Sequence, residues 1–226
     1  MATRSKRYRA AAERRPAAQA VPVPEAVKMV KSFAKTKFDE TVELVLRLNI
    51  DSKQSTQNVR GSFSLPHGIG RSARVIAFAE GEDAQKAAEA GAVEVGSAEL
   101  VKKILDGWME FDVAVAHPQM MKHVGRLGKV LGPQGKMPSP KSGTVTEDVA
   151  RAVREFRAGK IEFRNDKGGN VQVPVGKRSF GEAQLAENIT AMLEHVQTMR
   201  PGGVKGLFIQ AAYLSSTMSP SVKLAV

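Results

Sequence analysis

A strict two-residue alternation constrains this chain more than any other feature. Val42, Leu44, Leu46 and Leu48 alternate with Glu43, Val45, Arg47 and Asn49. A period of two puts one apolar set on one face of extended backbone, so the segment is predicted to be a half-buried strand. The theme then breaks off. It resumes with Ile161 and Phe163 against Glu162 and Arg164, and with Val171, Val173 and Val175 against Asn170, Gln172 and Pro174. Leu185, Ile189, Met192, Leu193 and Val196 follow at helical spacing, predicting a helix from Glu182 to Thr198 laid over the sheet.

The interruption has a pattern of its own. It lies between the Pro/Gly punctuation Leu65-Pro66-His67-Gly68-Ile69-Gly70 and Ala158-Gly159, read as paired linkers. Apolar runs at Val75 to Ala79, Val93 to Val95 and Val113 to Ala116 alternate with helical stretches at Glu82 to Ala90 and Ser97 to Leu105. Short strands alternating with helices predict a mostly parallel sheet wound by helices. The expected architecture has two domains: an α+β split domain of residues 1–67 and 160–226, and an inserted α/β domain of residues 68–159.

Charge respects this division. The chain of 226 residues carries a net charge of +11 and a pI near 10.0. Residues 1–67 and 160–226 hold 21 basic and 11 acidic side chains, a net +10, whereas residues 68–159 hold 13 and 12, a net +1. Basicity that served solubility alone would not follow a domain boundary, so the split domain is expected to hold a polyanion, with nucleic acid ahead of an anionic membrane.

Several chemistries are excluded. With no cysteine, the chain has no disulfides, thiolate metal sites or cysteine nucleophile. Nothing approaches the roughly 18 consecutive apolar residues of a membrane span, and the arginine-rich start has too short an apolar run for a signal sequence, so a cytoplasmic, soluble chain is expected. Gly68-Ile69-Gly70-Arg71-Ser72-Ala73 matches a dinucleotide fingerprint formally, but Arg74 to Ala79 reads as a strand where that motif needs a helix. The glycine-rich segment 125–143 lacks the hydroxyl that follows the lysine of a P-loop and is read as a structured surface loop. His67, His117, His123 and His195 have no metal-ligand spacing. No catalytic residue, metal site or cofactor is assigned. Asn188-Ile189-Thr190 is a glycosylation pattern that a chain of this kind would not use.

Three segments suit a grip on structured RNA. Lys35 to Thr41 offers the cations Lys35 and Lys37, a hydroxyl at Thr41, and Phe38, which serves either as a wedge against RNA or as a buried anchor. Arg164 to Gly169 reads as a hairpin turn presenting Arg164 and Lys167, or as a solvated turn. Ser215 to Ser221 follows a strand expected at Leu207 to Leu214 and sets hydroxyls beside Met218, an edge able to sense backbone and 2′-OH groups.

Taken together, Lys6-Arg7-Tyr8-Arg9, Lys37-Phe38-Asp39-Glu40-Thr41-Val42-Glu43, Asn58-Val59-Arg60-Gly61, Leu65-Pro66-His67-Gly68 and Gly128-Lys129-Val130-Leu131-Gly132-Pro133 closely resemble the bacterial form of the L-one family of large-subunit ribosomal proteins. Phe163-Arg164-Asn165-Asp166-Lys167, Pro174-Val175-Gly176-Lys177 and Thr217-Met218 follow in the same order, so the likeness covers nearly the whole chain.

The resemblance implies a Rossmann-like inserted domain, and the linker glycines Gly68 and Gly159 are expected to let the two domains hinge. It implies a monomer when free of the ribosome. Its implied partners are large-subunit rRNA at the mobile stalk, tRNA in the exit site, and the messenger of its own operon, which it would repress. Carried over position by position, the RNA contacts it implies are Lys37, Phe38, Thr41, Arg164, Lys167, Ser179, Ser215, Thr217, Met218 and Ser219. At Ser219 the family usually has glycine, and at Ala211 often a small hydroxyl. Two rivals stand beside this reading: a nucleotide-dependent enzyme using the inserted α/β domain, and a basic DNA-compacting protein.

Overall fold

A computed structural model describes residues 4–15 and 19–225. The chain divides into two compact units, Met1–Gly70 with Phe163–Val226, and Arg71–Glu162. Both crossings fall three residues beyond the boundaries read from the glycines, 67/68 and 159/160.

The split unit opens with helices α1 (Lys6–Arg14) and α2 (Val23–Ser32), followed by strands β1 (Thr41–Leu48) and β2 (Arg60–Ser64). In β1, Val42, Leu44, Leu46 and Leu48 are all buried, as the alternation demands.

The intervening unit contains β3 (Val75–Phe78), α3 (Glu82–Glu89), β4 (Glu94–Gly96), α4 (Ala98–Leu105), β5 (Val113–Ala116), the short helices α5 (Met121–Val124) and α6 (Gly128–Leu131), and α7 (Val149–Ala158). Its sheet has the order β4-β3-β5 with both pairings parallel. β3 is buried at every residue because both its faces are covered. Ile76 and Phe78 pack with residues of α4, α5 and α6, while Val75 and Ala77 pack with α3 and α7. Gly68-Ile69-Gly70 leads into this strand rather than into a helix, so the formal fingerprint lacks its structural context.

The glycine-rich segment departs from the surface-loop expectation. Gly125, Gly128 and Gly132 adopt right-handed helical backbone. Val124, Leu127 and Leu131 recur at helical spacing and are fully buried. Lys136 donates from Nζ to the Phe111 carbonyl at 2.5 Å, tying the following turn down.

The chain returns through β6 (Lys160–Arg164), β7 (Asn170–Lys177), α8 (Glu182–Thr198), β8 (Ile209–Ser216) and β9 (Val222–Leu224). β1 sits centrally in a four-stranded sheet of order β7-β1-β8-β9, antiparallel throughout. Helices α2 and α8 pack on each other and on this sheet. Leu185, Ile189, Met192 and Val196 are buried along α8, whereas Leu193 is only half-buried. Each fully buried aliphatic side chain of this kind contributes about 1.5–3 kcal/mol. Among them, the fully buried Asn188 donates to the carbonyls of Gly68 at 3.0 Å and Val175 at 2.8 Å and accepts from the His67 N–H at 3.1 Å. A side chain so enclosed leaves no room for a glycan.

Two strand expectations need correction. β6 and β7 meet as a hairpin only at the turn itself, through the antiparallel bridge between Asn165 and Val171 and the Asp166 N–H donating to the Asn170 carbonyl at 2.8 Å; beyond it β6 pairs with β2, and β7 with β1. Asn165 continues toward β2, donating to the Val59 carbonyl and accepting from the Val59 N–H, both at 2.9 Å. The turn beyond it closes on the Asp166 carboxylate, which accepts from the N–H groups of Gly168 and Asn170. The last long strand begins at Ile209, not Leu207, because Leu207 is 79% exposed and Phe208 turns into the core, and it runs on through Ser215 and Ser216.

Candidate nucleic-acid interface

The sheet register brings three chain segments together at one end of β1. Thr41 lies opposite Lys177 of β7, and Val42 lies opposite Ser216 of β8. An extra residue, Val175, on β7 between the partners of Val42 and Glu43 bulges that strand. Bulges re-aim side chains, and here Lys177 Nζ reaches Thr41 Oγ1 at 2.8 Å.

Behind this edge lies a buried charge pair. Arg178 and Glu40 are 8% and 1% exposed, with 3.4 Å between guanidinium and carboxylate. Arg178 also donates to the carbonyls of Lys31 at 2.9 Å, Ala34 at 3.4 Å and Phe33, the C-terminus of α2 and the start of the next loop. Such carbonyls lack intrahelical partners and carry partial negative charge. Glu40 accepts from the Ser216 hydroxyl. Burial opposes its ionisation, yet hydrogen bonds from Ser216 and Thr36, the Arg178 charge and the Met218 N–H together hold its carboxyl below the usual range. One carboxylate thus holds both the loop that bears Lys37 and Phe38 and the turn that bears Thr217 to Ser219.

The hydroxyls differ in what they can still offer. A hydroxyl has one donor and two acceptor sites. Thr217 Oγ1 accepts from the Thr41 N–H at 3.0 Å and donates to the Thr41 carbonyl at 3.3 Å, leaving one acceptor site. Ser179 Oγ donates to Asp39 at 2.7 Å, so it too can only accept. Thr41 Oγ1 accepts from Lys177 and keeps its proton for an outside acceptor. Ser215, opposite Glu43 on the outward face of β8, has no hydrogen-bond partner for its hydroxyl among the described residues. Ser219 Oγ accepts from the Ser216 N–H at 2.9 Å, closing its own turn. No described non-glycine residue has a positive φ, so this turn does not require the glycine usual at position 219.

Phe38 is 55% exposed and Met218 is 50% exposed, two of the five large apolar side chains that the described residues present to solvent. This decides against Phe38 as a buried anchor. A cleft of about 450 Å³ beside it is lined by Lys31, Lys35, Thr36, Phe38, Asp39 and Ser179, together with Arg178.

Arg164 and Lys167 lie elsewhere. They follow the far end of β1, where Arg47 pairs with Asn170. At the rise of an antiparallel strand, the eight residues of β1 span about 25 Å, so the turn that bears Lys167 lies at the opposite end of the strand from Thr41. There they line an open cleft of about 630 Å³ with Asn58, Arg60, Asn165 and Gln172 among its other walls. Hydrogen bonds from the Asn170 N–H and side chain, and from the Gly168 N–H, hold the Asp166 carboxyl below its ordinary value. That carboxylate is occupied by its own turn. The two expected hinge glycines both use left-handed backbone, with φ of 63° at Gly68 and 111° at Gly159. Gly68 is tied to α8 through Asn188, and Gly159 caps α7.

Sequence reasoning passed over Lys177, Arg178, Asp39 and Glu40 as functional residues. Pro174-Val175-Gly176-Lys177 stood out as a motif, but nothing local reveals that Lys177 faces Thr41 or that Arg178 is buried.

Among the described residues no helix is long and apolar enough to cross a membrane, and no three His, Asp or Glu side chains gather as a metal site. The family model for the ribosomal protein L1p/L10e family matches residues 30–220. The large ribosomal subunit protein uL1 of Fervidobacterium nodosum is 52% identical over 225 residues, covering 99% of this chain and 96% of its own. That of Thermus thermophilus is 48% identical over 225 residues, with 99% and 98% covered. That of a Nocardioides species is 50% identical over 221 residues, with 98% and 92% covered. The matched proteins are ribosomal proteins rather than enzymes, and the chain belongs to the ribosomal protein L1p/L10e family.

Proposed function

We propose that this chain is a structural constituent of the large ribosomal subunit that binds folded rRNA through its split unit, at the mobile stalk near the tRNA exit site in the cytoplasmic ribosome. In this reading the intervening α/β unit is a Rossmann-like insert that hinges about the segments at Gly68 and Gly159. The tRNA in the exit site is a second partner. The protein also represses its own operon by binding a mimic of the rRNA site in the messenger, and it is a monomer off the ribosome.

The observation that carries the reading is the Thr41 end of the four-stranded sheet. Lys37 and Lys177, an exposed Phe38 and Met218, and hydroxyls with sorted donor and acceptor capacity stand there on a braced backbone. Cations and the Thr41 proton suit phosphate oxygens. Thr217 and Ser179, able only to accept, suit the 2′-OH, a donor that DNA lacks. Arg164 and Lys167 form a second contact region toward the other end of β1, which a folded RNA must be large enough to reach.

Binding of the full-length Thr217→Ala and Met218→Ala variants to a stalk rRNA fragment tests the assignment. Both are expected to weaken binding, and unchanged affinity in both would remove the edge from the interface.

A further inference from the structure

Among the described residues, helix α1 and its flanks are charged out of proportion to anything they meet. Arg4, Lys6, Arg7, Arg9, Arg14 and Arg15 stand against Glu13 alone. Only Ala11 of the nine-residue helix is buried. Helices this short are marginal in water, and like charges at helical spacing weaken them further. Among the described residues none of the six cations is paired with a carboxylate. Their bonds go to backbone and ring instead. Arg9 Nε donates to the Arg4 carbonyl at 3.0 Å, the Arg4 guanidinium lies 4.7 Å from the Tyr8 ring centroid, and Arg15 donates to the Ser221 carbonyl at 3.1 Å.

The helix is also placed next to the interface. Arg7, Ala10, Ala11 and Arg14 line a small cleft with Phe33 and Ala34, which open the loop carrying Lys37 and Phe38. Arg15 reaches Ser221, two residues beyond Ser219. The α1 region therefore touches both segments that frame the Thr41 edge, and it leaves Arg4, Lys6 and Arg9 exposed.

We propose that α1 is a further polyanion-binding element that contacts the sugar–phosphate backbone of the same folded RNA beside the Thr41 edge. This rests on the RNA-binding reading above. With guanidinium and ammonium groups and a single Tyr8 ring, α1 neutralises phosphates and positions the RNA. It adds affinity and salt dependence without adding discrimination.

The test uses the full chain carrying Arg4→Gln, Lys6→Gln and Arg9→Gln together, and a charge-conserving partner carrying Arg4→Lys, Lys6→Arg and Arg9→Lys. Affinity for a stalk rRNA fragment is titrated across salt concentrations. The glutamine variant is expected to flatten the slope of log affinity against log salt by about 2, at roughly 0.7–0.9 per phosphate contact, with its preference for RNA over DNA kept. The charge-conserving variant is expected to keep the wild-type slope. A wild-type slope in the glutamine variant, with Thr217→Val still weakening binding, would overturn the role of α1 and leave the edge intact. Equal losses in both triple variants would also overturn it, because the helix would then act through its fold. A wild-type protein with no preference for the stalk RNA would bring down both proposals.

Discussion

Replacing Thr217 with valine keeps the β-branched shape and removes only the hydroxyl. In the free protein the Thr41 N–H loses its acceptor at 3.0 Å. The site is exposed, so water can replace it, and the stability cost is at the low end of about 0.5–1.5 kcal/mol. In the proposed complex the loss should be larger, because an RNA 2′-OH aimed at the remaining acceptor site of Thr217 would be left without a partner inside a closed interface, at about 1–3 kcal/mol. Affinity for stalk RNA should therefore fall roughly 5- to 150-fold, at about 1.4 kcal/mol per tenfold. The assay is a cycle of wild type and Thr217→Val against the RNA and the same RNA with single 2′-deoxy substitutions, read by filter binding at fixed salt. At one position the deoxy penalty seen with wild type should vanish in the variant, the signature of a direct coupling. If every deoxy penalty is unchanged in Thr217→Val, the division of donors and acceptors along this edge is wrong.

Three further perturbations probe the frame behind the edge. Glu40→Gln leaves Arg178 charged and buried, with its three carbonyl acceptors as partial compensation, and should cost about 3 kcal/mol in urea denaturation, a loss below about 1 kcal/mol contradicting the bracing role. Because its folded pKa is depressed below 4.5, Glu40 lends wild type stability that is present above that value and lost as pH falls through the folded pKa, and Glu40→Gln should lack that part of the acid dependence. Asn188→Ala strands the Gly68 and Val175 carbonyls and the His67 N–H, and should lower stability by at least about 2 kcal/mol, measured by thermal melting. His195 stacks on Phe63 at 4.4 Å and meets Phe163 edge-on at 5.9 Å, and burial lowers its pKa from 6.5. The unfolded chain therefore takes up the proton first, so stability should drop as pH falls from about 6.5 toward the lower folded pKa, and His195→Leu should remove that slope.

The parts of the fold that were legible in the sequence are those where burial alone selects the residue. The alternation at Val42 to Leu48 placed β1 because one face of that strand is dry, and the Leu185 to Val196 spacing gave α8 its observed ends. Pairing partners were not legible. Arg164 to Gly169 carries the composition of a hairpin turn and closes as one at the bridge between Asn165 and Val171, yet the long pairings of its flanking strands are with β2 and β1, choices made by distant chain. Glycine and proline in 125–143 signalled a loop and hid the Val124, Leu127, Leu131 spacing that buries its helical turns. In the candidate site, exposed groups such as Phe38 and Met218 could be named from motif likeness. Arg178 could not, because a buried arginine and a solvated one look alike until the carbonyls around it are known.

The central claim is specific recognition of folded RNA by the split unit rather than generic polyanion affinity. Its most direct test is titration of the full chain with stalk rRNA and with duplex DNA at several salt concentrations. The expected result is a preference for the RNA of about 10³-fold or more that persists as both affinities fall with salt. Equal affinities that decline together with a common slope would contradict it.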